Sequence, residues 1–259
     1  MRISIFAIAM TTMCAAANPG GIATAAVQPC AAASKYTICQ SFDETWTANT
    51  SPRGMFRING PWNGTGGNYM DPALARFAID DGSRHILTLS VEAGMKHGSE
   101  IQTLAKTGYG YYEVRMRVTD VPGVCASFFW IEAPKYGPRE WDIEFLTNES
   151  WITSENKGVV HLTVHPSNAA VALPLPFNPS KDFHRYGFLW KPGVLVFTVD
   201  GRAVHTFNDP ELDSSAGGFI MANTWTGNPD WGGGPPGKQA ATAYEWIKFT
   251  AGAADIIDP

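Results

Sequence analysis

Hydrophobic positions along this chain recur mainly at every second residue. In the segment around residues 111–118, Tyr112, Val114, Met116 and Val118 share one face of an extended chain, and Glu113, Arg115 and Arg117 share the other. Leu87, Leu89 and Val91 alternate with Thr88 and Ser90 in the same way. Residues 183–190 and 194–199 read as strands joined by Lys191-Pro192-Gly193. Asp200-Gly201 then predicts a type I′ hairpin into a return strand at 202–207. No window sustains the helical apolar period of about 3.6 residues. Asn228 to Gly237, rich in Gly and Pro around Trp231, reads as a loop. Trp190 and Trp246 lie within strand-like segments and are expected in the core. The pattern predicts an all-β sandwich of two antiparallel sheets, with no linker and no internal repeat.

Composition narrows the function. The chain has 259 residues, of which 44% are hydrophobic, which excludes a disordered chain. Charged residues are only 17% and the net charge is −5, which argues against a nucleic-acid binder. Few charges and nine Trp suit a neutral, flat-faced ligand such as a sugar. Met1-Arg2 followed by an apolar run to Ala17 resembles an export signal, too short for a membrane span of about 20 residues. Small-residue cleavage sites stand at Ala15-Ala16-Ala17 and Ala23-Thr24-Ala25. The expectation is a signal at residues 1–26, one domain over 27–259, and a secreted protein, extracellular or periplasmic, without a membrane anchor. Cys14 would leave with the signal, Cys30 and Cys39 could pair, and Cys125 reads as a buried free thiol.

The chemistry concentrates in Glu140-Trp141-Asp142-Ile143-Glu144-Phe145. On a strand, Glu140, Asp142 and Glu144 project from one face, and Trp141, Ile143 and Phe145 from the other. Two Glu at i and i+4 are about 13 Å apart at Cα and must lean inward to work on one bond. Asp142, between them, can share a proton and keep an acid's pKa high. Such a pair suits retaining glycoside hydrolysis, where one carboxylate attacks the sugar carbon and the other gives and takes a proton. A divalent cation site is the alternative, since hard metals favour carboxylates.

These residues resemble glycoside hydrolase family 16, whose signature Glu-x-Asp-x-Glu is matched by Glu140, Asp142 and Glu144. The resemblance is greatest to its licheninase type, the endo-β-1,3-1,4-glucanases, and includes Gly108 to Val114, Ser127-Phe128-Phe129, Val196 to Gly201, Met221 to Trp225 and Tyr244 to Lys248. It implies a jelly-roll sandwich with a concave substrate cleft. It also implies a secreted endo-acting hydrolase of β-1,3-1,4- or β-1,3-glucan, monomeric and needing no cofactor. Glu140 would be the nucleophile, Glu144 the acid/base and Asp142 the helper. Glu100, Phe129, Asn223 and Trp225 would line the groove. Trp231 is a further candidate for stacking on sugar. His161 and His165 alternate onto one face, about 13 Å apart at Cα, too far for one shared metal, and read as sugar hydrogen-bonders. Gln102 stands where licheninases have Arg, and Pro138 near where they have Trp. The family also carries a structural calcium, with Glu245 here at the position of its acid. A transglycosylase of the same fold and an inactive carbohydrate-binding module remain the alternatives.

Overall fold

The computed structural model describes residues 41–47, 54–80, 83–132, 139–213 and 217–257. Residues 1–26, where a signal is expected, and Cys30, Cys39 and Pro138 lie outside the described residues. Among the described residues two sheets of eight and nine strands face each other, and the helical elements are short 3₁₀ turns. The pairings are antiparallel except one between Tyr69–Met70 and His97–Thr103. This is the expected all-β jelly-roll sandwich.

The front sheet holds the acidic strand Glu140–Leu146. On one side lie Gly158–His165 and then the edge strand Ala169–Leu175. On the other side lie Cys125–Glu132, Gly218–Trp225 and His97–Thr103, which Phe56–Ile58 and Tyr69–Met70 flank. Alternation decides which way the acidic strand faces. Trp141, Ile143 and Phe145 are at most 1% exposed and join the inter-sheet core. A slip of one residue would turn three carboxylates into that core, at several kcal/mol each. Trp141 pairs with Trp130 on the next strand, and their rings stack at 5.3 Å. Trp190 of the rear sheet closes on both, at 4.6 and 5.5 Å. This apolar layer therefore fixes the register of the acids on the opposite face.

The rear sheet contains Gly110–Arg117, His184–Lys191, Val194–Val199, Arg202–Asn208 and Ala240–Ala251. Tyr112, Val114 and Met116 are fully buried, as the alternation predicts. Asp200 and Gly201 both have positive φ, 48° and 76°, as a type I′ hairpin requires. Trp190 is core, but Trp246 is not. The register of Ala240–Ala251 shifts between Tyr244 and Trp246. That bulge leaves Trp246 half-buried, beneath the Lys248 ammonium at 4.4 Å.

Candidate active site

The front sheet brings distant residues into rows across its strands. Glu144 is paired with His161 on one side and Ser127 on the other; Ser127 is paired with Asn223, and Asn223 with Glu100. Asn59 joins this row through its backbone bond to Glu100. The next row runs Thr163, Asp142, Phe129, Met221, Gln102 and Arg57. A third holds His165, Glu140, Ile131 and Phe219. Paired residues on adjacent strands share a face. All three acids, Phe129, Glu100, Asn223 and both histidines therefore stand on one surface.

Burial and mutual repulsion dominate the acids. Burial pushes Glu140 up to about 9, helped by the Asp142 charge and their shared hydrogen bond. Asp142 is pushed well above the usual carboxylate range by burial and then by Glu144. Burial also raises Glu144, while bonds from Cys125 and Trp231 oppose it. The cluster thus titrates as a unit and keeps protons where isolated carboxyls would lose them. His165 Nδ1 donates to Asn168 Oδ1 at 2.6 Å, which turns Nε2 towards Asp142 Oδ2 at 3.4 Å.

The rest of the row is tied by hydrogen bonds. Glu100 accepts from Asn59 Nδ2 at 2.8 Å and Asn223 Nδ2 at 3.3 Å, and its pKa is raised by burial despite both bonds. Ser127 Oγ donates to Asn223 Oδ1 at 2.5 Å. Beyond them a pocket of about 350 Å³ has an apolar floor of Ile131, Phe219 and Met221. Arg57, Asn59, Gln102 and Trp62 complete its lining. An apolar floor with a polar rim suits a sugar ring.

The two tryptophans expected in the groove differ. Trp225 is 8% exposed and packs with Met70, Cys125 and Leu146. The Thr65–Gly67 turn covers it, and Gly66 makes this approach possible. A Cβ on Gly66 would lie 2.7 Å from the indole, and its φ is +62°. Trp231, from the loop, is half-buried and directs Nε1 at Glu144 Oε1, 3.3 Å away.

Alternation of Cys125, Ser127 and Phe129 in one strand was a signal that the thiol shares the cleft face. Cys125 is indeed buried and free, yet its sulfur lies 3.2 Å from Glu144 Oε1. Asn59 and Glu149 carried no such signal. Asn59 arrives from a segment far away in sequence, and Glu149 from the turn just past the acidic strand, where its Oε1 accepts from His161 Nε2 at 2.8 Å.

Among the described residues, no group of three or more His, Cys, Asp or Glu is arranged to hold a metal ion. The Glu245 carboxylate is ion-paired with the Arg115 guanidinium. A cation there would have to displace that guanidinium, so Glu245 does not fit the role of a calcium ligand.

A description of glycosyl hydrolases family 16 matches residues 68–248. A beta-glucanase of Paenibacillus macerans is 37% identical over 151 residues, 56% of this chain and 60% of that protein. A beta-glucanase of Acetivibrio thermocellus is 35% identical over 180 residues, 63% of this chain and 50% of that protein. The chain thus spans between half and two thirds of these relatives. Among solved structures, a β-1,3-1,4-glucanase (lichenase) from a mouse hindgut metagenome superposes with a TM-score of 0.65 at 29% identity. That likeness covers 82% of this chain and 99% of the other. The Bacillus licheniformis beta-glucanase gives the same TM-score at 25% identity, covering 82% and 98%. The chain belongs to glycosyl hydrolases family 16.

Proposed function

We propose that this protein is a retaining endo-β-glucanase that cleaves β-1,3-1,4- or β-1,3-glucan by double displacement. The observation that carries the proposal is the line of three carboxyls on one face of Glu140–Leu146, Asp142 buried between the half-buried Glu140 and Glu144, beside a half-apolar pocket. The relatives' names supply the substrate class. In the first step the Glu140 carboxylate attacks the anomeric carbon, and Glu144 protonates the departing oxygen. Attack requires Glu140 to be ionised, so before this step the proton it holds must pass to Asp142, its hydrogen-bond partner. In the second step Glu144 takes a proton from water as that water displaces the glycosyl group from Glu140. No cofactor takes part in these steps. Asn223, Glu100 and Phe129 hold the sugar beside the acids, with His161 and His165 along the neighbouring strand. The protein acts outside the cytoplasm as a monomer.

Replacing Glu140 by Gln keeps the shape and removes the nucleophile. Hydrolysis of lichenan and laminarin should fall by at least about 10³-fold. Appreciable turnover by pure Glu140→Gln protein would overturn the assignment. Analysis of native products for chains longer than the substrate separates hydrolysis from glycosyl transfer to another sugar.

A further inference from the structure

We propose that Cys125 and Trp231 form a two-donor clamp on Glu144, holding Oε1 so that the reacting proton is carried on Oε2. This rests on Glu144 being the acid/base residue. Cys125 Sγ lies 3.2 Å from Glu144 Oε1, and Trp231 Nε1 lies 3.3 Å from the same oxygen. An indole N–H only donates. Burial, and then the Glu144 charge, push the Cys125 thiol well above its ordinary range, so it too stands as a donor. An oxygen already accepting two such bonds is a poor seat for a proton, and Oε2 takes it.

The clamp is built by the fold. Cys125 pairs with Leu146 while Glu144 pairs with Ser127, so the thiol is the diagonal neighbour of the carboxyl. Trp231 is fixed by reciprocal backbone bonds with Asn228, at 3.0 and 3.1 Å. Its ring meets the edge of His161 at 5.3 Å and 65°. His161 is in turn bonded to Glu149, which accepts from Trp151 Nε1 at 2.9 Å. The titratable groups acting on Glu144 are Glu140 and Asp142 on its own strand, His161 and His165 on the next, and Cys125 on the other side. A lone sulfur beside an acid would be a packing accident. Two donors from separate elements meeting on one oxygen are an orienting device.

Both bonds favour the carboxylate, so losing either raises the pKa of Glu144. Cys125→Val and Trp231→Phe should each move the alkaline limb of the kcat/KM profile on lichenan upward by roughly half a pH unit. Each should also lose roughly three- to tenfold in kcat on glucan. A dinitrophenyl glycoside of a short β-glucan oligosaccharide, whose leaving group needs no proton, should lose much less in its glycosylation step. Cys125→Ser, which restores a donor, should return the limb towards the native position. An unmoved limb in Cys125→Val, or equal losses on both substrates, would overturn the clamp. The underlying reading is tested separately by Glu144→Ala. If that variant hydrolyses glucan normally, Glu144 is not the acid/base, whatever Cys125 does. If it keeps only the dinitrophenyl substrate and is rescued by azide, the reading stands and the Cys125 and Trp231 variants decide the clamp.

Discussion

Glu140 links activity to stability with opposite signs. Its carboxyl pKa rises from 4.5 to about 9, chiefly through burial. Between those values the folded chain keeps a proton that the unfolded chain has released. Stability is therefore fullest below about pH 4.5 and is lost as pH rises towards about 9. Glu140→Gln removes this dependence along with the proposed nucleophile. Thermal melts should show the inactive variant unfolding above the native protein, with a gap that widens from pH 5 to pH 9. Each kcal/mol of that gap moves the midpoint by about 2–4 °C. A gap independent of pH would mean that burial does not penalise the Glu140 charge. Much of this residue-scale chemistry was legible beforehand, because alternation alone places three acids on one face. The thiol beside Glu144 was visible in the pattern too, but Cys125 reads as an inert apolar residue until Glu144 is seen across the strand pair.

At the scale of elements, the Thr65–Gly67 turn acts as a wall for the cleft. It presses Gly66 onto Trp225, which packs with Cys125 and Leu146 behind Glu144. Gly66→Ala should destabilise by roughly 1–2 kcal/mol, from positive-φ strain and the displaced indole. Gly67→Ala serves as the control: its φ is +74°, but a Cβ there meets nothing within 4 Å. Calorimetry of the two should show the larger loss at Gly66, with glucan hydrolysis reduced only there. Equal losses would leave backbone strain as the whole cost. Strands such as Gly110–Arg117 and the Asp200-Gly201 hairpin could be read from the chain because period two and turn chemistry are local signals. The bulge that turns Trp246 out of the core could not. It depends on how one strand's extra residue is accommodated by its neighbours.

At the scale of the molecule, order across the sheet creates the site. Asn223 and Glu100 are 123 positions apart yet share a hydrogen bond, and Asn59 meets Glu100 from a third segment. Nothing in the local pattern announces such neighbours, so the acids were legible and the remainder of the row was reached only in part, through the family likeness. The acidic strand also lies off-centre. Two strands flank it on one side, whereas on the other four positions follow along the row to Phe56–Ile58, and a second branch runs through Tyr69–Met70 to Trp62–Asn63. With strands about 4.8 Å apart, the row offers about 10 Å on one side of the acids and about 19 Å on the other. A glucan lying along the row would be cut away from its middle. Oligosaccharides just long enough to fill the row should then be cut into two unequal fragments, one about twice as long as the other. Chromatography of end-labelled oligosaccharides would show which end is the short one, and symmetrical scission would mean that the chain crosses the row instead of following it.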